Sequence, residues 1–108
     1  MNDNKEARKK LYNILRNLIR LTKKGDIVGF NRLNVVYSSL MINIFGKKIL
    51  KGGEGWEWDY ARNQLATILN LKELFEKDNI DKKNYNNRTY SAWIKALDGF
   101  KALKRYLQ

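Results

Sequence analysis

The sequence predicts an all-α protein, a compact antiparallel bundle of about four helices that forms a single domain over residues 1–108. Apolar residues recur at three- and four-residue spacing in four separate segments, as they do on the buried face of a helix. The connections between these segments are short, which favours antiparallel neighbours. The chain contains no proline, and no repeat or linker indicates a second domain.

The first helix is predicted from Asp3 to Lys24. Asp3 and Glu6 have the spacing of a capping box, and Gly25 provides a natural stop. The apolar residues of this segment keep helical spacing; they are Ala7, Leu11, Ile14, Leu15, Leu18 and Leu21. At about 100° per residue, five basic side chains fall together on the side opposite Leu11 and Leu18; they are Lys5, Lys9, Arg16, Arg20 and Lys23. We therefore expect an amphipathic helix with a basic outer stripe.

The second helix is harder to assign, because the β-branched content of residues 26–45 would also suit strands and "MINIFGKKIL" could form a hairpin. Strict alternation nevertheless fails over residues 33–36. Helical spacing is kept by six apolar residues, namely Leu33, Val36, Tyr37, Leu40, Met41 and Ile44. We predict a mostly buried helix from about Asn31 to Phe45, ended by Gly46.

The third helix is predicted from the end of the connector "KKILKGGEG" to Asp78-Asn79, which begins the polar loop "NIDKKNYNNR". Its expected apolar face consists of Trp58, Ala61, Leu65, Ile68, Leu69 and Phe75. The fourth helix is predicted from about Thr89 to Leu107, with Asp98-Gly99 as a weak point where we expect a bend or a split. Its expected buried residues are Tyr90, Trp93, Ile94, Leu97 and Phe100.

The composition argues against an enzyme. The chain has no cysteine and no histidine, so it lacks a disulfide framework and the usual ligands of zinc and iron. Histidine is also the commonest proton shuttle near neutral pH, and the acidic residues form no obvious pair. We expect no catalytic residue, no metal, no cofactor and no small-molecule substrate.

The expected location is the cytoplasm, or the interior of a host cell if the protein belongs to a mobile element or a virus. No run of residues approaches the roughly 18 uninterrupted apolar positions that a membrane span needs. The polar opening "MNDNKEARKK" leads into an amphipathic helix, which is not typical of a signal peptide.

Positive charge is the strongest functional signal. Lys and Arg number 22 against 11 Asp and Glu, a net charge of +11, which favours a polyanionic partner. The basic residues are concentrated in residues 1–53 and 79–108, whereas acids outnumber bases in residues 54–78. On the first helix, like charges four residues apart cost roughly 0.2–0.5 kcal/mol per pair. A partner of opposite charge would relieve that cost.

The glycine-rich connector offers two interpretations. Gly52, Gly53 and Gly55 match neither a dinucleotide fingerprint nor a phosphate-binding loop, so nucleotide hydrolysis is not predicted. In one interpretation, Lys47, Lys48 and Lys51 hold phosphate while Trp56 or Tyr60 stacks on a base. In the other, the segment is only a joint, with Trp58 in the core and Trp56 packed on the first turn as a hydrophobic staple. The neighbouring acids Glu54, Glu57 and Asp59 count against phosphate contact.

A second candidate surface is the predicted loop between residues 82 and 90. Lys82, Lys83 and Arg88 alternate there with Tyr85 and three asparagines, a combination that can contact phosphate, sugar and base edges. Asparagine-rich loops also arise in low-GC genomes without a binding role, so this signal is not specific.

The leading functional hypothesis is a small, basic, non-catalytic protein that binds DNA or RNA through phosphate contacts with low sequence selectivity. No helix-turn-helix signature is convincing, so no recognition helix is assigned. The alternative is a protein-interaction module, such as an inhibitor, an immunity factor or an assembly subunit of a phage or plasmid system, or a small subunit of a nucleoprotein complex. Its basic face would then contact an acidic protein or an anionic membrane surface.

Overall fold

The computed structural model describes residues 2–108, with side chains from Lys5 onward. Within that range the chain forms four α-helices and two short 3-10 helices and contains no strand, so the predicted all-α fold is confirmed. The elements are α1 (Asn2–Lys24), α2 (Ile27–Phe45), a first 3-10 helix (Lys47–Lys51), α3 (Trp56–Glu76), α4 (Lys82–Ala102) and a second 3-10 helix (Leu103–Leu107).

The four helices form two antiparallel hairpins that pack against each other. α1 lies along α2 and α3 lies along α4, while α1 also contacts α3. The bundle measures 49 × 23 × 23 Å, and no described helix is long and apolar enough to cross a membrane. Both 3-10 helices lie at the end of the bundle that holds the N-terminal half of α1, where Arg8 Nε donates to the Tyr106 carbonyl at 3.0 Å.

The core is centred on α1 and α3. Leu11, Leu15, Leu18 and Leu65 are fully buried, as helical periodicity predicts. Tyr37 of α2 is also fully buried, and its hydroxyl donates a hydrogen bond to the Trp58 carbonyl at 2.8 Å. Burial raises the pKa of Tyr37 above its ordinary value, since the charged phenolate would lose its hydration.

The ends of α1 agree with the sequence, but the start of α2 does not. Gly25 follows α1 with a φ of 70°, in the left-handed region that glycine tolerates best. The capping role predicted for Asp3 concerns a side chain outside the described residues. α2 begins at Ile27 and not near Asn31, because Asp26 caps it by accepting a hydrogen bond from the Gly29 N–H at 2.9 Å.

The prediction that α2 is mostly buried is wrong. Only Phe30, Tyr37 and Met41 are buried in α2 among the residues described, whereas Val35 and Val36 are 67% and 48% exposed. α2 lies against α1 along its length but meets α3 over a short stretch. One stripe of α2 is therefore covered, and its opposite side stays in solvent.

Residues 82–88, predicted as a loop, form the first two turns of α4. Asp81 caps the helix by accepting a hydrogen bond from the Asn84 N–H at 2.8 Å. This bond, together with one from the Asn84 side chain, lowers the pKa of Asp81. α4 then continues through Asp98-Gly99 and changes to 3-10 geometry at Leu103, about one turn after the predicted weak point.

The buried face of α4 also differs from the prediction. Tyr90, Ile94 and Leu97 are exposed, whereas Ala92 and Ala96 are buried. The small residues allow α4 to approach α3 closely, and a Cβ at Gly99 would lie only 3.5 Å from that of Ala61. Trp93 and Phe100 pack against the core as expected, but Phe75 of α3 is partly exposed and stacks on Tyr85.

Candidate nucleic-acid interface

The predicted basic stripe of α1 lies on the outside of the bundle. We call its five residues the basic ridge; they are Lys5, Lys9, Arg16, Arg20 and Lys23. Lys5 is half-buried and the other four are exposed, opposite the fully buried Leu11, Leu15 and Leu18. At about 1.5 Å per residue the ridge extends for about 27 Å along the helix.

The basic ridge is almost free of ion pairs. Lys9 lies 3.7 Å from the Glu6 carboxylate, an exposed contact of the kind that contributes about 0–1 kcal/mol. Among the described side chains, no carboxylate lies within 4 Å of the other four ridge residues. Their charge is therefore not neutralised by those groups.

Arg16 is held in place by aromatic rings and not by an acid. Its guanidinium lies 5.3 Å from the centroid of Tyr12 and 5.9 Å from that of Phe100. These two rings stack at 4.3 Å. Arg16 also donates a hydrogen bond to Asn13 Oδ1 at 3.0 Å. Cation–π contact fixes the position of this charge while it remains exposed.

The acidic side chains of α3 are paired, in contrast to the basic ridge. Glu73 lies 2.8 Å from Lys77 and Glu76 lies 3.4 Å from Lys72. The hydrogen bond between Glu73 and Lys77 lowers the pKa of the carboxyl and raises the pKa of the ammonium. These acids therefore meet cations of α3 and its C-cap, and they do not reach α1.

The lysines of the connector precede an exposed tryptophan in the chain. Lys47, Lys48 and Lys51 are exposed on the first 3-10 helix. The Gly53 N–H donates to the Lys48 carbonyl at 2.9 Å, and the Trp56 N–H donates to the Gly53 carbonyl at 3.0 Å. These two turns connect the backbone of Lys48, through Gly53, to the start of α3.

The two tryptophans of this segment have different environments. Trp58 is fully buried, as predicted, whereas Trp56 is 48% exposed. Trp56 is the first residue of α3 and packs edge-on against Tyr60, with ring centroids 5.9 Å apart. Trp56 thus packs on the first turn of α3, although as its first residue and not ahead of it, and part of its ring stays available to a ligand.

Two of the three acids near Trp56 are engaged within the protein. Glu57 forms an ion pair with Arg105 and accepts a hydrogen bond from the Tyr106 hydroxyl at 3.0 Å. Asp59 forms an ion pair with Arg62. These carboxylates repel a phosphate less than free carboxylates would. Glu54 remains exposed.

The third group of predicted binding residues lies at the opposite end of the bundle. Lys82, Lys83 and Arg88 are exposed on the first turns of α4, while Tyr85 stacks on Phe75 at 4.4 Å. One face of the Tyr85 ring is therefore covered. The thirteen candidate residues form three groups: the basic ridge, the lysines with Trp56, and the start of α4.

Sequence reasoning missed the buried Arg62. This side chain is 8% exposed, and its Nη1 donates to Asn34 Oδ1 at 2.9 Å and to Ser38 Oγ at 2.7 Å. Nε donates to Asn63 at 2.9 Å, and Asp59 pairs with the guanidinium. Arg62 therefore connects α3 to α2. An available signal was its position four residues after Trp58, on the predicted apolar face.

Comparison with known proteins gives no match, whether with family models, curated proteins or solved structures. The function of this protein must therefore be inferred from the protein's own residues. Among the side chains described from Lys5 onward, no group of three acidic side chains is placed to hold a metal ion.

Proposed function

We propose that this protein binds nucleic acid through the phosphate backbone, without catalysis and with low sequence selectivity. The observation that carries this proposal is the basic ridge, in which four of five cations have no carboxylate within 4 Å among the described side chains. A phosphate backbone supplies the missing negative charge, and the release of its counterions favours binding.

The length and the chemistry of the ridge suit such a partner. About 27 Å of helix matches about eight base-pair steps of a duplex at about 3.4 Å each. Lysine and arginine contacts to phosphate position a protein on nucleic acid but do not read its sequence. We therefore expect similar affinities for oligonucleotides of different sequence.

Trp56 and Tyr60 add a contact for an unpaired base. An exposed ring can stack on any base, and the nearby lysines can hold the adjoining phosphates. Trp56 is partly exposed, and Lys47, Lys48 and Lys51 are exposed on the 3-10 helix that precedes it, which supports this role. Stacking of this kind favours single-stranded over duplex nucleic acid, because bases in a duplex already stack on each other.

A charge-matched pair of variants tests the proposal. Arg20→Gln with Lys23→Gln removes two unpaired cations, whereas Lys72→Gln with Lys77→Gln removes two paired ones. Fluorescence anisotropy with a labelled 20-mer at low salt should show about a tenfold or larger loss of affinity for the first variant. The second should bind within about twofold of the wild type.

Two results would contradict nucleic-acid binding by the ridge. The first is the absence of binding by the wild type to DNA and RNA, single-stranded and duplex. The second is an equal loss in both variants, which would mean that only net charge matters. Circular dichroism of both variants checks that the fold is retained.

A further inference from the structure

A shallow groove runs along the outside of the α1–α2 hairpin. One depression is lined by Lys10, Val36 and Leu40, and another by Arg20, Arg32, Leu33 and Val36. A third, which shares Lys10 and Leu40 with the first, joins them along α1. We call this feature the α1–α2 groove; its floor is formed by Leu33, Val36 and Leu40, and its charged rim by Lys10, Arg20 and Arg32.

The floor of the groove is apolar and accessible. Val36 is 48% exposed, and its neighbour Val35 is exposed as well. Adjacent exposed apolar side chains on one surface often mark a site where another molecule binds. Phosphates would not cover such a floor, because only the cations of the rim attract them.

The charged side chains around the floor are positive over most of the length of the groove. α2 contains no acidic residue, and Arg32 is its single charged one. No carboxylate of the described side chains lies within 4 Å of Lys10, Arg20 or Arg32. Among the described side chains, Glu6 is the one acid that lines the groove; it lies toward the N-terminus of α1 and pairs with Lys9.

We propose that the α1–α2 groove binds an acidic amphipathic helix of a partner protein. The distance from Lys10 to Arg20 is about 15 Å along α1, about three turns of helix. An amphipathic helix places apolar residues at i, i+3 or i+4, and i+7 into such a groove. These residues contact Leu33, Val36 and Leu40, and flanking carboxylates face Lys10, Arg20 and Arg32.

A second copy of this chain fits the groove less well. Each copy carries a net charge of +11, and the acids of α3 that could face the rim already pair with Lys72 and Lys77. The partner helix is therefore expected from a different, acidic protein. Because Arg20 belongs to both the basic ridge and the rim, that helix should compete with nucleic acid.

The test uses a labelled 14-residue peptide with leucine at helical a and d positions and glutamate elsewhere. A scrambled peptide of the same composition is the control. The wild type should bind the patterned peptide about tenfold or more tightly than the scrambled one, because only the patterned peptide presents an apolar stripe. Equal affinity for the two, or no binding of either, would overturn the proposal.

Substitutions then locate the site. Val35→Ser with Val36→Ser should weaken the patterned peptide about tenfold and leave oligonucleotide affinity within about twofold, since no charge changes. Tyr90→Ser with Ile94→Ser, on the exposed side of α4, is the matched control and should change neither. A second test is Arg32→Glu, since Arg32 lies on the surface. This substitution should weaken binding of the patterned peptide about tenfold or more.

The outcomes separate this proposal from nucleic-acid binding. Peptide binding that does not depend on Val35, Val36 or Arg32 would overturn the groove and leave the basic ridge untouched. Oligonucleotide binding by Arg20→Gln with Lys23→Gln tests the basic ridge; because Arg20 also belongs to the rim, the groove is judged by the substitutions of Val35, Val36 and Arg32. Vesicles of phosphatidylserine and phosphatidylcholine are a further probe. Valine-dependent binding to vesicles without peptide binding would assign this face to a membrane and overturn the proposal.

Discussion

The outer faces of α1 and α3 use charge in different ways. On α3, Glu73–Lys77 and Lys72–Glu76 are pairs of opposite charge four residues apart, which stabilise a helix by about 0.2–0.5 kcal/mol each. On α1, Lys5–Lys9 and Arg16–Arg20 have the same spacing and like charge, which costs a similar amount.

Under the proposed function, this difference separates charges that stabilise the fold from charges that are available to a partner. The stability of α1 depends on its buried face, since its outer face opposes the helix slightly. The stability of α3 is helped by both faces. We therefore expect substitutions of the basic ridge to weaken binding with little effect on the free energy of unfolding. Substitutions of paired charges near α3 should lower the free energy of unfolding with little effect on binding.

The largest expected effect is the loss of stability on substitution of Arg62. Arg62→Met leaves the Asp59 carboxylate without its cation and removes the hydrogen bonds to Asn34 and Ser38. Loss of one partner from a largely buried pair should lower the free energy of unfolding by about 3 kcal/mol. Urea denaturation measures this change. Arg20→Met, at an exposed site on α1, is the control and should stay within about 0.5 kcal/mol.

The comparison fails if Arg20→Met destabilises the protein as much as Arg62→Met does. In that case the basic ridge would have a structural role that its exposure does not indicate.

A smaller effect is expected at Trp56. Trp56→Ala should weaken binding of single-stranded DNA by roughly fivefold to hundredfold, which corresponds to about 1–3 kcal/mol for one stacked base. An abasic oligonucleotide has the same phosphates without bases, so its affinity should not change. Fluorescence anisotropy with both oligonucleotides measures the difference, and Tyr90→Ala serves as an exposed aromatic control on α4.

An equal loss for the normal and the abasic oligonucleotide would count against stacking. Trp56 would then support the nearby lysines without contacting a base.

The smallest effect is expected at Asp81, the cap of α4. Hydrogen bonds from Asn84 lower the pKa of this carboxyl in the folded state. Its contribution is therefore complete above the pKa of an ordinary aspartate, about 3.9, and is lost as the pH falls through the lower, folded value. Asp81→Ala should lower the midpoint of thermal unfolding by a few degrees near neutral pH, and this difference should shrink in acid.

Scanning calorimetry at several pH values measures this shift. A difference between the wild type and Asp81→Ala that stays constant into strong acid would show that the carboxylate is not the stabilising group.

The sequence predicted α1 well because its apolar period is long and regular. The start of α4 was missed because the residues after Asp81 have no apolar period, although Asp81 itself is a good cap. The exposed side of α4 was mistaken for its buried side because large apolar residues were expected inward. Ala92 and Ala96 are buried instead, since close packing of α4 on α3 requires small side chains.

The candidate site was predictable in position but not in pairing. The helical period places the basic ridge on the outer side of α1. The same period puts Trp58, and not Trp56, in line with the apolar residues of α3. Which cations meet a carboxylate depends on how the helices pack, as does the burial of Arg62. Neither property can be read from local sequence.

The salt dependence of nucleic-acid affinity tests the central claim most directly. If about five phosphates are neutralised, the wild type should give a log–log slope of about −4 on duplex DNA. Arg20→Gln with Lys23→Gln should make this slope about two units shallower, while Lys72→Gln with Lys77→Gln should leave it unchanged. A slope near zero for the wild type, or the same slope in both variants, would contradict binding of phosphate by the basic ridge.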